Sequence, residues 1–206
     1  MIKFNKLSKG VGAALLLVGA SAALAETVTV PATVSVNNAI DFTFTGTLDF
    51  GEIRATASPT VDECAVLALP ANPASPLGAS ADPTQLCADG AGVAVIQSVG
   101  GTPARPVFTV AGVAPFSNLS LTLPAAPITL SAALPPGSAT FTVGEFTAYR
   151  TSGTPGVITT VIQANGTGDA TFTVGAEIAT HVAAIVDPLY EDGIPYTGSF
   201  DVTVEY

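Results

Sequence analysis

The sequence TVTVPATVSV, residues 27–36, alternates between apolar and polar side chains with a period of two. That period is typical of an extended strand, whose successive side chains point to opposite faces. One face of this strand would carry five small apolar residues, Val28, Val30, Ala32, Val34 and Val36. The start of a mature domain is normally its loosest part. A fully patterned strand there needs an apolar surface to bury against, either in its own domain or in the next copy of the protein.

Residues 1–25 have the features of a cleavable signal peptide. Lys3, Lys6 and Lys9 form a positive region, residues 11–20 are apolar, and Ala23-Leu24-Ala25 is typical of a cleavage site. The apolar run is too short to span a bilayer as a helix. We expect export through the periplasm to the cell surface or the extracellular medium, with no membrane span after cleavage. An uncleaved membrane anchor is the alternative.

The mature chain, residues 26–206, is strongly acidic. Every lysine lies in the signal, which leaves three arginines against 16 Asp and Glu residues and a formal charge of −13. Such a surface repels nucleic acid and anionic membranes. We therefore expect no nucleic-acid partner.

Two cysteines, Cys64 and Cys87, occur in a chain expected to enter an oxidising compartment. Their number and context predict one disulfide bond. Two free thiols or a metal-binding pair are the alternatives, and a single histidine in the chain disfavours a metal site.

Short alternating runs recur between glycines and prolines, and long amphipathic helical periodicity is absent. This pattern is typical of an all-β sandwich or barrel. We expect a single domain over residues 39–206, with residues 26–38 as a separate N-terminal strand. Residues 55–92 are rich in Pro and Ala and are interpreted as a long insertion held by the cysteine pair. Strands are predicted at 40–44, 48–51, 93–96, 106–110, 118–123, 139–143, 156–162 and 170–175, while 178–186 could contain a helical turn.

The last eleven residues predict a closing strand. Alternation would place six residues on one face: Tyr196, Gly198, Phe200, Val202, Val204 and Tyr206. This pattern predicts that the C-terminus is built into a sheet.

The chain has few residues suited to catalysis. His181 is the only histidine and has no motif around it, and tryptophan is absent. The adjacent pairs Asp62-Glu63 and Glu191-Asp192 would point to opposite faces of a strand, which disfavours paired-carboxylate chemistry. Asp187, Glu191 and Asp192 could offer oxygen ligands to calcium, although their spacing matches no EF-hand loop. We expect no enzymatic activity, no cofactor and no metal.

Four segments together resemble a family of exported bacterial β-sandwich domains of unknown function. They are LDFG at 48–51, FTVAG at 108–112, NGTGDATFTVG at 165–175 and YTGSFDVTVEY at 196–206. The closing Tyr-x-Gly-x-Phe-x-Val-x-Val-x-Tyr is the most specific of these.

The layout is also similar to that of chaperone–usher fimbrial and spore-coat-U-like subunits. That resemblance implies an immunoglobulin-like antiparallel β-sandwich with a groove where one strand is missing. A periplasmic chaperone fills the groove first, and the N-terminal strand of a neighbouring subunit then replaces it at an outer-membrane usher. The small valines of residues 27–36 depart from the larger side chains of that class.

The sequence thus predicts a structural subunit of an extracellular filament or surface layer, pilus-like or fimbria-like and related to adhesion or biofilm. Its partners would be copies of itself or related subunits, joined by donor-strand addition. The alternative is a self-complete, monomeric secreted module that binds a glycan or protein through its loops.

Overall fold

The computed structural model describes residues 31–35, 39–135 and 137–206. The chain divides into two compact units, Met1–Val36 and Asn37–Tyr206. Residues 31–35 of the first unit form no strand and are exposed. The rest of the predicted N-terminal strand, including Val28, Val30 and Val36, lies outside the described residues.

The second unit is all-β. Its described residues form 13 strands and one short 3-10 helix, Pro83–Gln85. In chain order the strands are β1 (Asp41–Thr45), β2 (Glu52–Thr56), β3 (Val66–Leu69), β4 (Gly78–Ala79), β5 (Val95–Gly100), β6 (Val107–Ala111), β7 (Asn118–Thr122), β8 (Ile128–Leu130), β9 (Phe141–Arg150), β10 (Gly156–Ile158), β11 (Val161–Gln163), β12 (Ala170–Ala179) and β13 (Thr203–Glu205).

Strand β12 lies at the centre of an eight-stranded antiparallel sheet, called here the main sheet. On one side, β6 pairs with the first part of β12 and β3 pairs with its last part. Strand β1 extends the sheet beyond β6, and β4 extends it beyond β3. On the other side β12 pairs with β9, which also pairs with β8 and β10.

Two smaller sheets pack against the main sheet. The three-stranded sheet β11-β7-β13 shares a buried core with β6, β9 and β12, and the ribbon β2-β5 contributes to a second core with β3, β9 and β12. Phe108, Phe172 and Leu119 lie in the first core, and Phe50 and Phe141 lie in the second. The prediction of an all-β antiparallel sandwich is confirmed.

A bulge in β9 keeps its apolar residues directed at the core. The register runs from Gly175 opposite Thr147 to Glu177 opposite Gly144, so β9 has one extra residue there. Glu145 lies in this bulge and adopts a positive φ of +50°. The alternation consequently changes phase within the strand, and the buried side chains are Phe141, Val143 and Ala148.

The segment 55–92 is part of the sandwich, because β3 and β4 belong to the main sheet. Cys64 and Cys87 are buried and form the predicted disulfide bond, with 5.3 Å between their Cα atoms. Residues 178–186 contain no helical turn: β12 continues through Ala179, and residues 180–186 have no regular secondary structure. Within the described residues, no helix is long and apolar enough to cross a membrane.

Candidate functional site

His181 takes part in a structural hydrogen-bond network. Its Nδ1 accepts a hydrogen bond from the Thr140 backbone N–H at 3.3 Å. Its own backbone N–H donates to the Tyr190 hydroxyl, which in turn donates to the Thr140 carbonyl. Burial lowers the pKa of His181 and raises the pKa of Tyr190. The Thr140 hydroxyl also lies 2.9 Å from His181 Nδ1. No carboxylate is among these described partners, and the network fastens the residue that precedes β9 to the segment that follows β12.

The acidic residues considered as calcium ligands, Asp187, Glu191 and Asp192, are exposed. Over residues 31–35, 39–135 and 137–206, no group of three His, Cys, Asp or Glu side chains is arranged to hold a metal ion. Ser58, which is buried, donates a hydrogen bond of 2.6 Å to the half-buried Glu63, and residues 59–62 between them are exposed.

An apolar groove with a volume of about 470 Å³ opens between the main sheet and the C-terminal segment. Its deepest side chains, Phe50, Phe108 and Val143, are buried and belong to both cores. The groove is therefore an opening into the core itself. Its other apolar lining residues include Phe42, Phe44, Leu48, Ile128, Leu130, Phe200 and Val202.

A row of phenylalanines runs across the main sheet into this groove. Phe44, Phe108 and Phe172 lie directly opposite one another on β1, β6 and β12. The ring centroids are 5.8 Å apart for the first pair and 5.1 Å apart for the second. Phe172 is fully buried, but Phe44 is 67% exposed. The exposed ring of Phe44 adds to the contiguous apolar lining of the groove, and contiguous apolar patches on a surface mark interaction sites.

Two backbone edges run along the groove. Strand β1 pairs only with β6, so its other edge is free within the described sheet. On the opposite wall, residues 198–202 belong to no ladder. Unpaired strand edges are templates for pairing with another strand.

The closing strand is shorter than the sequence predicted. Within residues 196–206, ladder pairing is confined to β13 and to a bridge between Thr197 and Ser131. The pairing is interrupted because β7 pairs with β13 in the small sheet, whereas the next strand, β8, pairs with β9 in the main sheet. Pro124 and Pro127, in the intervening chain, also lack the N–H that a ladder needs.

The six residues predicted to share a face are distributed along this segment. Phe200, Val202 and Val204 pack against the first core, and Tyr196 packs against the second. Gly198 lies where an added Cβ would be 2.7 Å from the Thr129 carbonyl oxygen. Tyr206 is exposed, and its hydroxyl accepts a hydrogen bond from the Ala114 N–H at 3.2 Å.

The groove residues on β1 were not singled out from the sequence. The alternation of Phe42 and Phe44 with polar neighbours was visible, but it predicts only that one face of the strand is apolar. It does not tell whether that face is covered by the chain's own residues.

Comparisons with known proteins add no family assignment. No protein-family model, no curated protein and no solved structure matches this chain. The functional argument therefore depends on the groove and on the sequence pattern.

Proposed function

We propose that the protein is a structural subunit of an extracellular filament or surface layer, with a fimbria-like role in adhesion or biofilm, and that its copies join by donor-strand addition. Residues 27–36 of one copy would occupy the apolar groove of the next. The observation that carries the proposal is an opening into the core flanked by two unpaired backbone edges, β1 and residues 198–202.

The alternating segment suits such a groove on two counts. Its backbone could pair with an unpaired edge, and its five apolar side chains would replace water over the exposed core. Strand β1 has five residues and is about 17 Å long at roughly 3.4 Å per residue. A ten-residue strand of about 34 Å would cover that edge along its whole length.

Pro31 is compatible with this arrangement. In a strand, the backbone groups of alternate residues point toward opposite neighbours. Pro31 therefore removes one N–H on the side served by residues 27, 29, 33 and 35, and it leaves the other side intact. Val30 and Ala32 would keep their hydrogen bonds to the second edge.

A groove left open before assembly would be an aggregation hazard. Export with a periplasmic chaperone and delivery through an outer-membrane usher are accordingly included in the proposal. Neither partner is required for the test below, which concerns only contacts between copies.

The test compares aspartate substitutions at neighbouring positions of the mature chain. Val30→Asp and Val34→Asp would bury an unpaired carboxylate in the groove, which costs enough to weaken assembly by about 100-fold. Thr29→Asp and Thr33→Asp add the same charge on the opposite face and should assemble normally. The fraction of SDS-resistant oligomer in unheated samples, together with light scattering, measures the outcome.

A reciprocal pair of substitutions tests the groove. Phe44→Asp should prevent assembly, whereas Val157→Asp should not, because Val157 is an exposed apolar residue on β10 outside the groove. Equal assembly of all the variants would show that the donor role is wrong. A wild-type chain that remains monomeric at high concentration would instead support the self-complete binding module.

A further inference from the structure

Residues 78–86 form a strap across the main sheet. The strap begins with β4, which pairs with β3, and it ends next to the disulfide-bonded Cys87. Its Leu86 side chain lies against β9, where an added Cβ on Gly144 would be 2.9 Å from Leu86 Cδ2. Between these two ends, Ser80 donates a hydrogen bond of 2.7 Å to Glu177 Oε1 on β12. The strap is thus joined to the centre of the sheet through one carboxylate.

The second oxygen of that carboxylate has no partner. Glu177 Oε2 is buried, and no hydrogen bond reaches it within the described residues. A buried carboxylate oxygen without a donor is unfavourable when the group is ionised, because the oxygen has lost its hydrogen bonds to water and no protein donor replaces them.

The surrounding residues make ionisation still less favourable. Glu177 lines a cavity of about 350 Å³ between the strap and the sheet, together with Asp82 of the strap and Glu145 of β9. The cavity lining from β3 is the uncharged Ala68 and Leu69, and no Lys, Arg or His is among the described residues that line the cavity. Burial raises the pKa of Glu177, the hydrogen bond from Ser80 acts in the opposite direction, and the nearby Glu145 and Asp82 raise it further.

We propose that Glu177 makes the strap a pH-sensitive latch, which is closed over the main sheet when the carboxyl group is protonated and loosens when the group is ionised. This inference is independent of the proposed filament function. Opening of the strap would withdraw β4 from β3 and leave β3 as a new edge of the main sheet.

The direction of the pH dependence follows from the raised pKa. A carboxyl group whose pKa is higher in the closed form binds its proton more tightly there than in the open form. Closing is therefore favoured as the pH falls through the closed-form pKa, and this gain is lost as the pH rises. A carboxylate stabilised by a cation would show the opposite dependence.

Hydrogen exchange of the mature full-length chain tests the latch. Protection of the amides of residues 78–86, corrected for the intrinsic rate at each pH, should be at least about threefold higher at pH 4.5 than at pH 7.5, since one pKa unit changes such an equilibrium tenfold. In Glu177→Gln the protection should be the same at both pH values and close to the acid value of the wild type. Glu205→Gln, on the exposed β13, should retain the wild-type dependence.

Two results would overturn the proposal: equal corrected protection of the wild-type strap at both pH values, or an unchanged pH dependence in Glu177→Gln. If Glu177→Gln does not fold, Glu145→Gln serves in its place. That variant removes one like charge from the cavity, so the midpoint of the pH dependence should move to lower pH. A midpoint that does not move would count against the latch.

Discussion

At the scale of one residue, Gly175 shows how closely the end of β3 and the residues that follow it approach the central strand, β12. An added Cβ at Gly175 would lie 2.2 Å from the Leu69 carbonyl oxygen and 2.3 Å from the Ala71 nitrogen. Both contacts are with backbone atoms, which cannot move aside as a flexible side chain would. The position therefore requires glycine for space, without any requirement for an unusual φ.

We expect Gly175→Ala to lower the free energy of unfolding by about 3 kcal/mol, the upper part of the range for overpacked sites. Gly78→Ala is the matched control, because it also lies in a strand of the main sheet but has no atom within 4 Å of the added Cβ. Urea unfolding followed by far-UV circular dichroism measures both variants. Equal midpoints for the two would contradict the close approach.

At the scale of elements, the disulfide stabilises the part of the main sheet that contains β4, which pairs with β3 over two residues. Cys64 and Cys87 are 23 residues apart, and the chain between them contains β3 and the strap with its two-residue β4. By the chain-entropy model, a loop of this length contributes about 3 kcal/mol. The double variant Cys64→Ala/Cys87→Ala should lose about that amount of unfolding free energy in urea titrations. Reduction of the wild-type chain should give a similar loss, and a change in neither case would refute this contribution.

The same elements show how far the sequence could predict this fold. Alternation located the strands, since it reports that one face of a strand is buried. It could not show which strands pair, because hydrogen-bonded neighbours are chosen by packing at long range. The segment 66–69 was therefore not recognised as part of the main sheet, although it pairs with the central strand β12.

The bulge at Glu145 and the gap at residues 198–202 were missed for related reasons. One extra residue changes the phase of alternation, so only the first half of β9 was predicted as a strand. The C-terminal alternation continues through residues 198–202, but the departure of β8 removes their ladder partner. The groove arises because β8 pairs with β9 and not with residues 198–202. The alternation within one strand carries no information about which strands pair.

At the scale of the whole molecule, the proposed contact and the surface charge act in opposite directions. Residues 26–206 have three arginines against 16 Asp and Glu residues, a formal charge of −13. Arg105 is partly withdrawn from the surface, because its guanidinium donates to the Pro70 and Ser75 carbonyl oxygens. Among the described residues that line the groove, by contrast, one is charged, Asp201, and residues 27–36 contain no charged residue. Copies should thus repel one another at a distance and attract only when the strand meets the groove.

This separation predicts how salt affects assembly. The screening length falls from about 30 Å at 0.01 M salt to about 8 Å at 0.15 M, so the repulsion between approaching copies weakens. We expect the rate of association to rise about tenfold over that range, while the rate of dissociation changes less than about twofold, because the strand is uncharged and Asp201 is the one charged residue in the described lining of the groove. Stopped-flow light scattering after mixing measures the rate of association, and dilution of preformed oligomer measures the rate of dissociation.

The variant Glu191→Gln/Asp192→Asn removes two exposed charges outside the groove and should reduce the salt dependence of association without changing dissociation. An association rate that falls with added salt would instead indicate an attractive ionic contact between copies, which an uncharged strand and a groove lined by Asp201 do not provide.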